Sequence, residues 1–302
     1  DAEKSEVRKS GKRKKDGIFY TPEYITRYIV KEAVGGWLED RKRELGFYNL
    51  PELTSDDLST IKPENKKGSK LKYNANVEAW LNFWEAYKEQ LLNIKVLDPA
   101  CGSGAFLNQA FDYLYVEGRK VSDEISRLRL GQREMFELDR HILTSNIYGV
   151  DVNPESVEIT KLSLWLKTAN RGKELTALDE NIKCGNSLID DPNIAGDKAF
   201  NWFLSFPSVF RNYRKPKTPD VQTNDIQEPS YNYGNPESKG YEKFGFDVVI
   251  GNPPYVSANN MTFAEREFFN NESKFKTLSG KWDLYIPFIE RSLSLLKHKG
   301  KQ

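Results

Sequence analysis

The sequence predicts an α/β fold in which a mostly parallel sheet is flanked by helices. Three short, largely apolar runs predict its strands, and they cover residues 94–98, 147–150 and 247–250. Such runs are typical of strands that are buried on both faces, as the strands of parallel sheets usually are. Helical patterns lie between these runs, and this alternation favours a single doubly wound α/β unit.

The strand at 247–250 leads into Asn252-Pro253-Pro254-Tyr255, at the end of the strand where open α/β sheets bind their ligands. Two consecutive prolines fix φ and remove two backbone donors, so the carbonyl groups of the loop have few internal partners. The Asn252 side-chain oxygen and the Pro253 carbonyl can then accept both protons of one planar NH₂ group, while the Tyr255 ring can stack on a heterocycle. Taken alone, the tetrapeptide also fits an ordinary proline-rich turn after a core strand.

A second motif spans residues 94–107 and consists of a strand, an acidic residue, a tight turn of small residues and the start of a helix. Gly102 and Gly104 let a ligand approach the backbone closely, and Asp98 can accept from an ammonium or hydroxyl group. Leu107 occupies the third glycine position of a dinucleotide-binding fingerprint. This departure argues against a nicotinamide cofactor.

The next strand ends in Asp151, and a carboxylate at this place commonly binds ribose hydroxyls. In their order along the chain, the motifs resemble those of S-adenosylmethionine-dependent adenine-N6 DNA methyltransferases. More narrowly, they are similar to the gamma-type enzymes of type II and type IIG restriction-modification systems, in which a further motif precedes the glycine-rich loop. The matching segments are residues 19–25, 98–104, 149–151, 185–188 and 252–255.

The resemblance implies a Rossmann-like methyltransferase fold, which we expect to be truncated at its C-terminus. It also implies a site-specific adenine DNA methyltransferase that moves the methyl group of S-adenosyl-L-methionine to N6 of an adenine flipped out of double-stranded DNA. Such enzymes form the modification part of restriction-modification systems and work with a target-recognition domain and a fused or separate nuclease. No P-D-x-(D/E)-x-K nuclease pattern occurs in these 302 residues.

The family's residue roles can be carried over position by position. The target base is expected to contact Asn252, Pro253, Pro254 and Tyr255. The cofactor is expected to contact Thr21, Pro22, Asp98, Ala100, Gly102, Gly104, Asp151, Val152 and Asn186. Within this set, Thr21 contacts the methionine end and Asp98 lies near its amino group. Asp151 holds the ribose, Val152 packs on the adenine ring, and Asn186, where many relatives carry Asp, accepts from the adenine amine.

The chemistry of such a site needs no covalent intermediate. An exocyclic adenine amine is a poor nucleophile because its lone pair is delocalised into the ring, and two acceptors that draw its protons aside localise that lone pair. Methylation of cytosine C5 requires a nucleophilic cysteine instead. The chain has two cysteines, Cys101 and Cys184, and both sequence contexts predict small buried residues.

Composition restricts the remaining possibilities. The 45 basic and 44 acidic residues give a net charge of +1, so the chain lacks the strongly basic signature of many DNA-binding domains. The mean hydropathy is −0.68, and no apolar stretch reaches the roughly 18 residues of a membrane span. Two cysteines without a pairing pattern suit a reducing cytosol, so we predict a cytoplasmic protein. The two histidines are isolated, which predicts that no metal site is present.

The predicted organisation has three parts. Residues 1–16 form a basic linker, and residues 17–93 form an N-terminal helical segment that carries the Thr-Pro motif and an apolar helix at 76–92. Residues 94–302 form the catalytic core, in which 191–244 is a surface insertion. The core is expected to contain four strands in the order 3-2-1-4, with the fourth at an open edge. We expect a fragment of a longer polypeptide, without the target-recognition domain.

Three alternative functions remain open at this point. Protein-glutamine methyltransferases and some ribosomal-RNA guanine methyltransferases also use Asn-Pro-Pro-Tyr on a similar fold. The segment at Thr21 and Pro22 favours the DNA enzyme, since those relatives generally place a different domain ahead of the glycine loop. A third possibility is a non-catalytic subunit that presents DNA to a partner nuclease, because intact motifs do not prove turnover.

Overall fold

The computed structural model describes residues 21–63, 71–131, 137–168, 176–210, 244–271 and 274–301. The predicted linker at 1–16 lies outside the described residues, as does the greater part of the predicted insertion, residues 211–243. None of the helices in the described ranges is long and apolar enough to cross a bilayer.

The centre of the molecule is a parallel sheet with helices on both faces. A small antiparallel pair comes first in the chain, β1 (Lys62–Pro63) with β2 (Leu71–Lys72). The sheet then contains β3 (Val96–Asp98), β4 (Ile147–Asp151), β5 (Ile182–Cys184), β6 (Phe246–Val249) and β7 (Leu296–Lys301). Its strand order is β5-β4-β3-β6-β7, and all neighbouring strands run parallel. The predicted Rossmann-like fold is therefore confirmed.

The predicted count of four strands is wrong, because β7 pairs with β6 and covers the edge that was expected to be open. Phe246 is in register with Leu296, and Val248 with Lys301. The run from Lys297 to Lys301 is rich in lysine and glycine, so it lacks the apolar pattern of a strand. An edge strand tolerates such residues because one side of it meets solvent, and lysine is common there.

The helices connect and cover these strands. The first part of the chain contributes α1 (Glu23–Val30), α2 (Gly36–Glu44), α3 (Ser55–Ser59) and α4 (Ala75–Asn93). The core contributes α5 (Ala105–Leu128), α6 (Leu138–His141), α7 (Pro154–Thr168), α8 (Pro192–Ala195), α9 (Trp202–Ser205), α10 (Pro207–Phe210), α11 (Phe263–Asn270) and α12 (Tyr285–Leu295). A π-helical turn, Lys31–Gly35, joins α1 to α2, so the two form one continuous helical segment.

The sheet separates two apolar layers. Side chains of Val96, Ile147 and Val248 belong to the core that α1, α2, α4 and α5 cover. The next residues along the same strands, Leu97, Tyr148 and Val249, belong to the core on the opposite face. This alternation follows from the period of two residues in a strand, and both sets are buried because the sheet is covered on both sides.

The predicted apolar helix at 76–92 is confirmed as α4. The Asn74 side chain caps it by accepting from the Val77 N–H at 2.9 Å, which satisfies one of the donors that a helix N-terminus leaves free. Six of its side chains are buried: Val77, Leu81, Phe83, Trp84, Tyr87 and Leu91.

Residues 200–210 differ from the predicted surface insertion. Phe200, Trp202 and Phe206 are buried against the sheet, and the Trp202 indole N–H donates to the Ser187 carbonyl at 3.0 Å. Each helix in this segment has only four residues, so its sequence contains too little periodicity to reveal a buried face.

Candidate active site

The candidate site lies where the strand order reverses. Strands β4 and β5 continue from β3 on one side and β6 and β7 lie on the other, so the crevice opens between the carboxyl ends of β3 and β6. A cavity of about 280 Å³ occupies this crevice, close to the lower end of the usual range for small-ligand pockets. The turn after β3, the loop after β6 and one face of α12 line it, together with Ile29 of α1.

Asp98 is the buried acid at the end of β3. Its side chain is about 1% exposed, and its Oδ1 accepts from the Ala100 N–H at 3.1 Å. The pKa of this carboxyl is raised to about 8, chiefly by burial; the Ala100 hydrogen bond opposes the shift and the charge of nearby Asp151 adds to it. Among the described residues no cation pairs with Asp98, so a positively charged group of a ligand would be its natural partner.

Gly251 makes the close approach of β6 to Asp98 possible. A Cβ atom at this position would lie 2.6 Å from Asp98 Oδ1 and 3.3 Å from its Cγ. Contacts this short are not tolerated, so any larger residue would displace the buried carboxyl. Gly251 therefore couples the position of the loop after β6 to the position of the Asp98 carboxyl by steric contact.

The glycine-rich turn after β3 is held open by fixed hydrogen bonds. Gly102 and Gly104 have φ of 53° and 83°, a conformation that favours glycine, and a Cβ at Gly102 would meet no atom within 4 Å. The Thr160 hydroxyl of α7 donates to the Gly102 carbonyl at 2.8 Å. The Gly102 N–H donates to Asp151 Oδ2 at 2.8 Å. The backbone at Gly102 thus has open space beside it.

Asp151 lies at the end of β4, beside this turn. Its Oδ1 accepts from the Asn153 N–H at 2.9 Å, while Oδ2 bonds to Gly102. Burial raises the pKa of Asp151, and these two backbone hydrogen bonds oppose that shift. Each oxygen keeps a lone pair for a hydroxyl donor. The neighbouring Val152 side chain is exposed, as expected of an apolar surface that a flat ring covers.

The loop after β6 presents acceptors to the cavity. Asn252 Nδ2 donates to the Thr21 hydroxyl at 3.1 Å, so the amide oxygen Oδ1 remains for another donor. Within the described ranges, neither Oδ1 nor the Pro253 carbonyl accepts a hydrogen bond, as two prolines in a row lead us to expect. Tyr255 is 53% exposed, and its ring centroid lies 5.8 Å from that of Tyr285.

Comparison with known proteins identifies a family and several relatives with similar sequences. Residues 145–302, which make up 158 of the 302 residues, match the family described as Eco57I restriction-modification methylase. The chain belongs to this family. It is 31% identical over 70% of its length to the type II restriction enzyme and methyltransferase RM.Eco57I of Escherichia coli, of which the match covers 19%.

Other curated relatives point the same way. A putative type II restriction enzyme and methyltransferase of Methanocaldococcus jannaschii is 30% identical over 94% of the chain, which covers 31% of that protein. The adenine-specific methyltransferase BrxX of Escherichia coli is 25% identical over 93% of the chain and is matched over 26% of its own length. The matches thus span about a fifth to a third of the length of these three relatives.

Five of the thirteen predicted site residues of this methylase line one cavity: Asp98, Ala100, Asn252, Pro253 and Tyr255. Gly102, Gly104, Asp151 and Val152 are not among the residues that line it. Pro254 does not line it and instead separates Pro253 from Tyr255 along the loop. Of the N-terminal motif, Thr21 reaches Asn252, while the Pro22 carbonyl accepts from two N–H groups in the first turn of α1.

Asn186 has a different environment from the one its predicted role requires. Its Oδ1 accepts from the Leu188 N–H at 3.0 Å and the Ile189 N–H at 3.3 Å. An amide oxygen has two lone pairs, and both point at these donors. To accept from the adenine amine of a cofactor, Asn186 would have to give up one of these bonds, so its role stays a prediction.

Sequence reasoning missed the apolar wall of the cavity. Tyr285, Phe288, Ile289 and Ser292 of α12 line it, at the spacing i, i+3, i+4, i+7 that places side chains on one helix face. That spacing was a usable signal. Ile29 of α1 completes the wall, and nothing in its local sequence indicated this position. In the described part of the chain, no cluster of three or more metal-binding side chains occurs.

Proposed function

We propose that this methylase transfers the methyl group of S-adenosyl-L-methionine to the exocyclic N6 of an adenine that has been rotated out of double-stranded DNA. The observation that carries the proposal is the pair of acceptors at Asn252 and Pro253, which face the cavity that also contains the buried acid at Asp98. Two acceptors on one amine leave its nitrogen lone pair to attack.

The chain offers a matching place for the cofactor. Asp98 is buried without a cation, which suits the ammonium group of a methionine moiety. The open glycine turn at Gly102 suits close approach of a ligand to the backbone, and Asp151 suits the ribose hydroxyls. When bound, S-adenosylmethionine supplies an electrophilic methyl group on a positively charged sulfur. Thr21, Pro22, Ala100, Gly104, Val152 and Asn186 complete the proposed cofactor set.

The residues of the loop after β6 then act on the target amine. Asn252 Oδ1 and the Pro253 carbonyl accept its two protons and hold the nitrogen in line for attack. With the cofactor bound, the C–S bond of its methyl group would break as the C–N bond forms, and the nitrogen would then lose one proton to water. The Tyr255 ring stacks on the flipped base, which offsets part of the roughly few kcal/mol that flipping costs.

The names of the relatives favour DNA over the other substrates. PglX of Streptomyces coelicolor and BrxX are adenine-specific methyltransferases, and RM.Eco57I combines restriction and methyltransferase activity in one protein. These names support an adenine DNA methyltransferase rather than a protein-glutamine or ribosomal-RNA enzyme. We further propose that sequence recognition and any nuclease reside in parts that lie outside this chain, and that the enzyme acts on DNA in the cytoplasm.

Replacement of Asn252 tests the proposal directly. Asn252→Ala should reduce incorporation of labelled methyl groups into DNA at least about a hundredfold, because it removes an acceptor used in the transition state. Cofactor binding, measured by calorimetry, should change little. Asn260→Ala is the matched control, since this exposed asparagine lies in the same loop region outside the cavity. Undiminished transfer by Asn252→Ala would refute the assignment, and methylation of protein or RNA instead of DNA would redirect it.

A further inference from the structure

One hydrogen bond connects the N-terminal segment to the loop after β6. Asn252 Nδ2 donates to Thr21 Oγ1 at 3.1 Å, across 231 residues of sequence. Thr21 lies immediately before α1, whose first turn is closed by the Pro22 carbonyl and whose Thr26 and Val30 side chains are buried. The hydroxyl therefore occupies a fixed place relative to the loop.

The orientation of the Asn252 amide decides whether the proposed reaction is possible. In one orientation the amide presents its oxygen to the target NH₂ group. In the flipped orientation it presents its own NH₂ group, whose N–H donors repel those of the target. The contact with Thr21 uses Nδ2, so it leaves Oδ1 for the target amine.

We propose that Thr21 is a positioning residue that holds the Asn252 amide with its oxygen toward the target amine. This role rests on the proposed methyl transfer and adds to the cofactor contact expected of Thr21. A hydroxyl has one proton to donate and two lone pairs with which to accept. While Thr21 accepts from Asn252, its own proton remains for the carboxylate of the methionine moiety. A bound cofactor would then favour the productive amide orientation, since linked hydrogen bonds strengthen one another.

The test compares Thr21→Val with Thr21→Ser in the full-length protein. Valine keeps the shape of threonine and lacks the hydroxyl, whereas serine keeps the hydroxyl. The rate of a single round of methyl transfer is measured at saturating cofactor and saturating DNA, and cofactor affinity is measured separately by calorimetry. We expect Thr21→Val to lower the single-turnover rate about tenfold and Thr21→Ser to restore most of it, as the loss of one neutral hydrogen bond implies.

A second background separates positioning from a cofactor contact. In Asn252→Asp both carboxylate oxygens are acceptors, so orientation no longer matters. Adding Thr21→Val to this background should change the rate less than about twofold, if Asn252→Asp retains measurable transfer. An equal loss in both backgrounds, a loss that saturating cofactor abolishes, or an unchanged rate in Thr21→Val would each overturn the proposal.

The result remains informative if the Asp variant is inactive. The comparison of Thr21→Val with Thr21→Ser at saturating cofactor is then sufficient by itself. A loss of single-turnover rate that Thr21→Ser does not restore contradicts the role of the hydroxyl. Failure of the proposed function gives a different result. In that case the Asn252→Ala variant would methylate DNA at an undiminished rate, whichever residue occupies position 21.

Discussion

The cofactor side and the target-base side of the site differ in how many of their hydrogen-bonding groups find partners within the protein. On the cofactor side, Asp98 is about 1% exposed, and the turn that follows it is fixed by hydrogen bonds from Thr160 and to Asp151. On the target side, the Asn252 oxygen and the Pro253 carbonyl accept no hydrogen bond from any described residue, and Tyr255 is 53% exposed. One half surrounds a buried acid with internal hydrogen bonds, and the other keeps acceptors that no described residue uses.

This difference matches the two ligands that a methyltransferase must accommodate. A small cofactor can enter a buried, preformed cleft, whose fixed groups cost little reorganisation on binding. A base in duplex DNA is part of a macromolecule, so the groups that bind it must face outward. Their hydrogen-bonding capacity is satisfied only when the DNA binds. Substitutions on the two sides should therefore affect different measurements, and the expected effects can be ranked by size.

Gly251→Ala should have the largest effect, because this glycine belongs to both halves. Its new Cβ would come 2.6 Å from Asp98 Oδ1, so either the carboxyl or the loop must move. We expect a loss of about 1–3 kcal/mol in the free energy of unfolding, together with at least a hundredfold loss of methyl transfer. Chemical denaturation and methyl incorporation measure the two quantities.

The control for this variant is Gly36→Ala in α2. A Cβ there approaches the flexible end of the Lys301 side chain at 3.0 Å, which can move aside, and alanine favours a helix. This variant should retain stability and activity. If Gly251→Ala behaves like the control, the two halves are not sterically connected.

Asp98→Asn should separate the cofactor side from the target side. Loss of a charge-assisted contact to an ammonium group should weaken cofactor binding about ten- to a hundredfold in calorimetry. The affinity for labelled DNA, measured by fluorescence anisotropy, should change much less. Equal loss of both affinities would show that the two halves are not independent.

The same variant should change the pH dependence of stability. Burial raises the pKa of Asp98 to about 8 in the folded protein, from the model-peptide value near 3.8 in the unfolded chain. The unfolded chain therefore releases this proton between about pH 4 and pH 8 while the folded protein keeps it, so the contribution of Asp98 to stability falls as pH rises through that window. Asp98→Asn removes this decline.

Melting temperatures at pH 5 and pH 8 provide the measurement. The stability of Asp98→Asn relative to the unsubstituted protein should be greater at pH 8 than at pH 5. This difference in the free energy of unfolding should change by at most about 1.4 kcal/mol per pH unit. Asp112→Asn is a control, because this half-exposed carboxylate pairs with Lys167 far from the cavity. An advantage that is independent of pH would contradict the buried, protonated state of Asp98.

Tyr255→Ala should affect only the target side, and by a smaller factor. Base stacking on an aromatic ring contributes about 1–3 kcal/mol, so we expect roughly a tenfold loss of methyl transfer at limiting DNA. Tyr255→Phe keeps the ring and should retain most of the activity. Cofactor affinity should be the same in all three proteins, and equal losses for Ala and Phe would assign the effect to the hydroxyl instead.

Thr160→Val should have the smallest effect. It removes the hydrogen bond to the Gly102 carbonyl and keeps the side-chain shape that packs under Gly104. Cofactor affinity should fall about threefold to tenfold, as one neutral hydrogen bond implies, and the rate at saturating cofactor should not change. Thr160→Ser retains the hydroxyl and should bind cofactor more tightly than Thr160→Val. A change in the saturated rate would indicate that the glycine turn also affects the target side.

Sequence patterns predicted the centre of this fold well and its edges poorly. The strands near Leu97, Tyr148 and Val249 are apolar and bounded by turns, so their burial was visible in the sequence. Strand β7 was not predicted, because its residues follow no apolar pattern. The buried aromatic segment around Trp202 was missed for a related reason, since its helices are too short to show a period.

The same division applies to the site. The sequence by itself determined which groups are available: an acid after one strand, two acceptors and a ring after another, and glycines between them. These are local properties, set by residue types at fixed spacing. Only the tertiary structure decided that Gly251 lies against Asp98, that Thr21 reaches Asn252, and that α12 forms the apolar wall. Such contacts join distant parts of the chain, and they depend on strand register and packing, which no local pattern records.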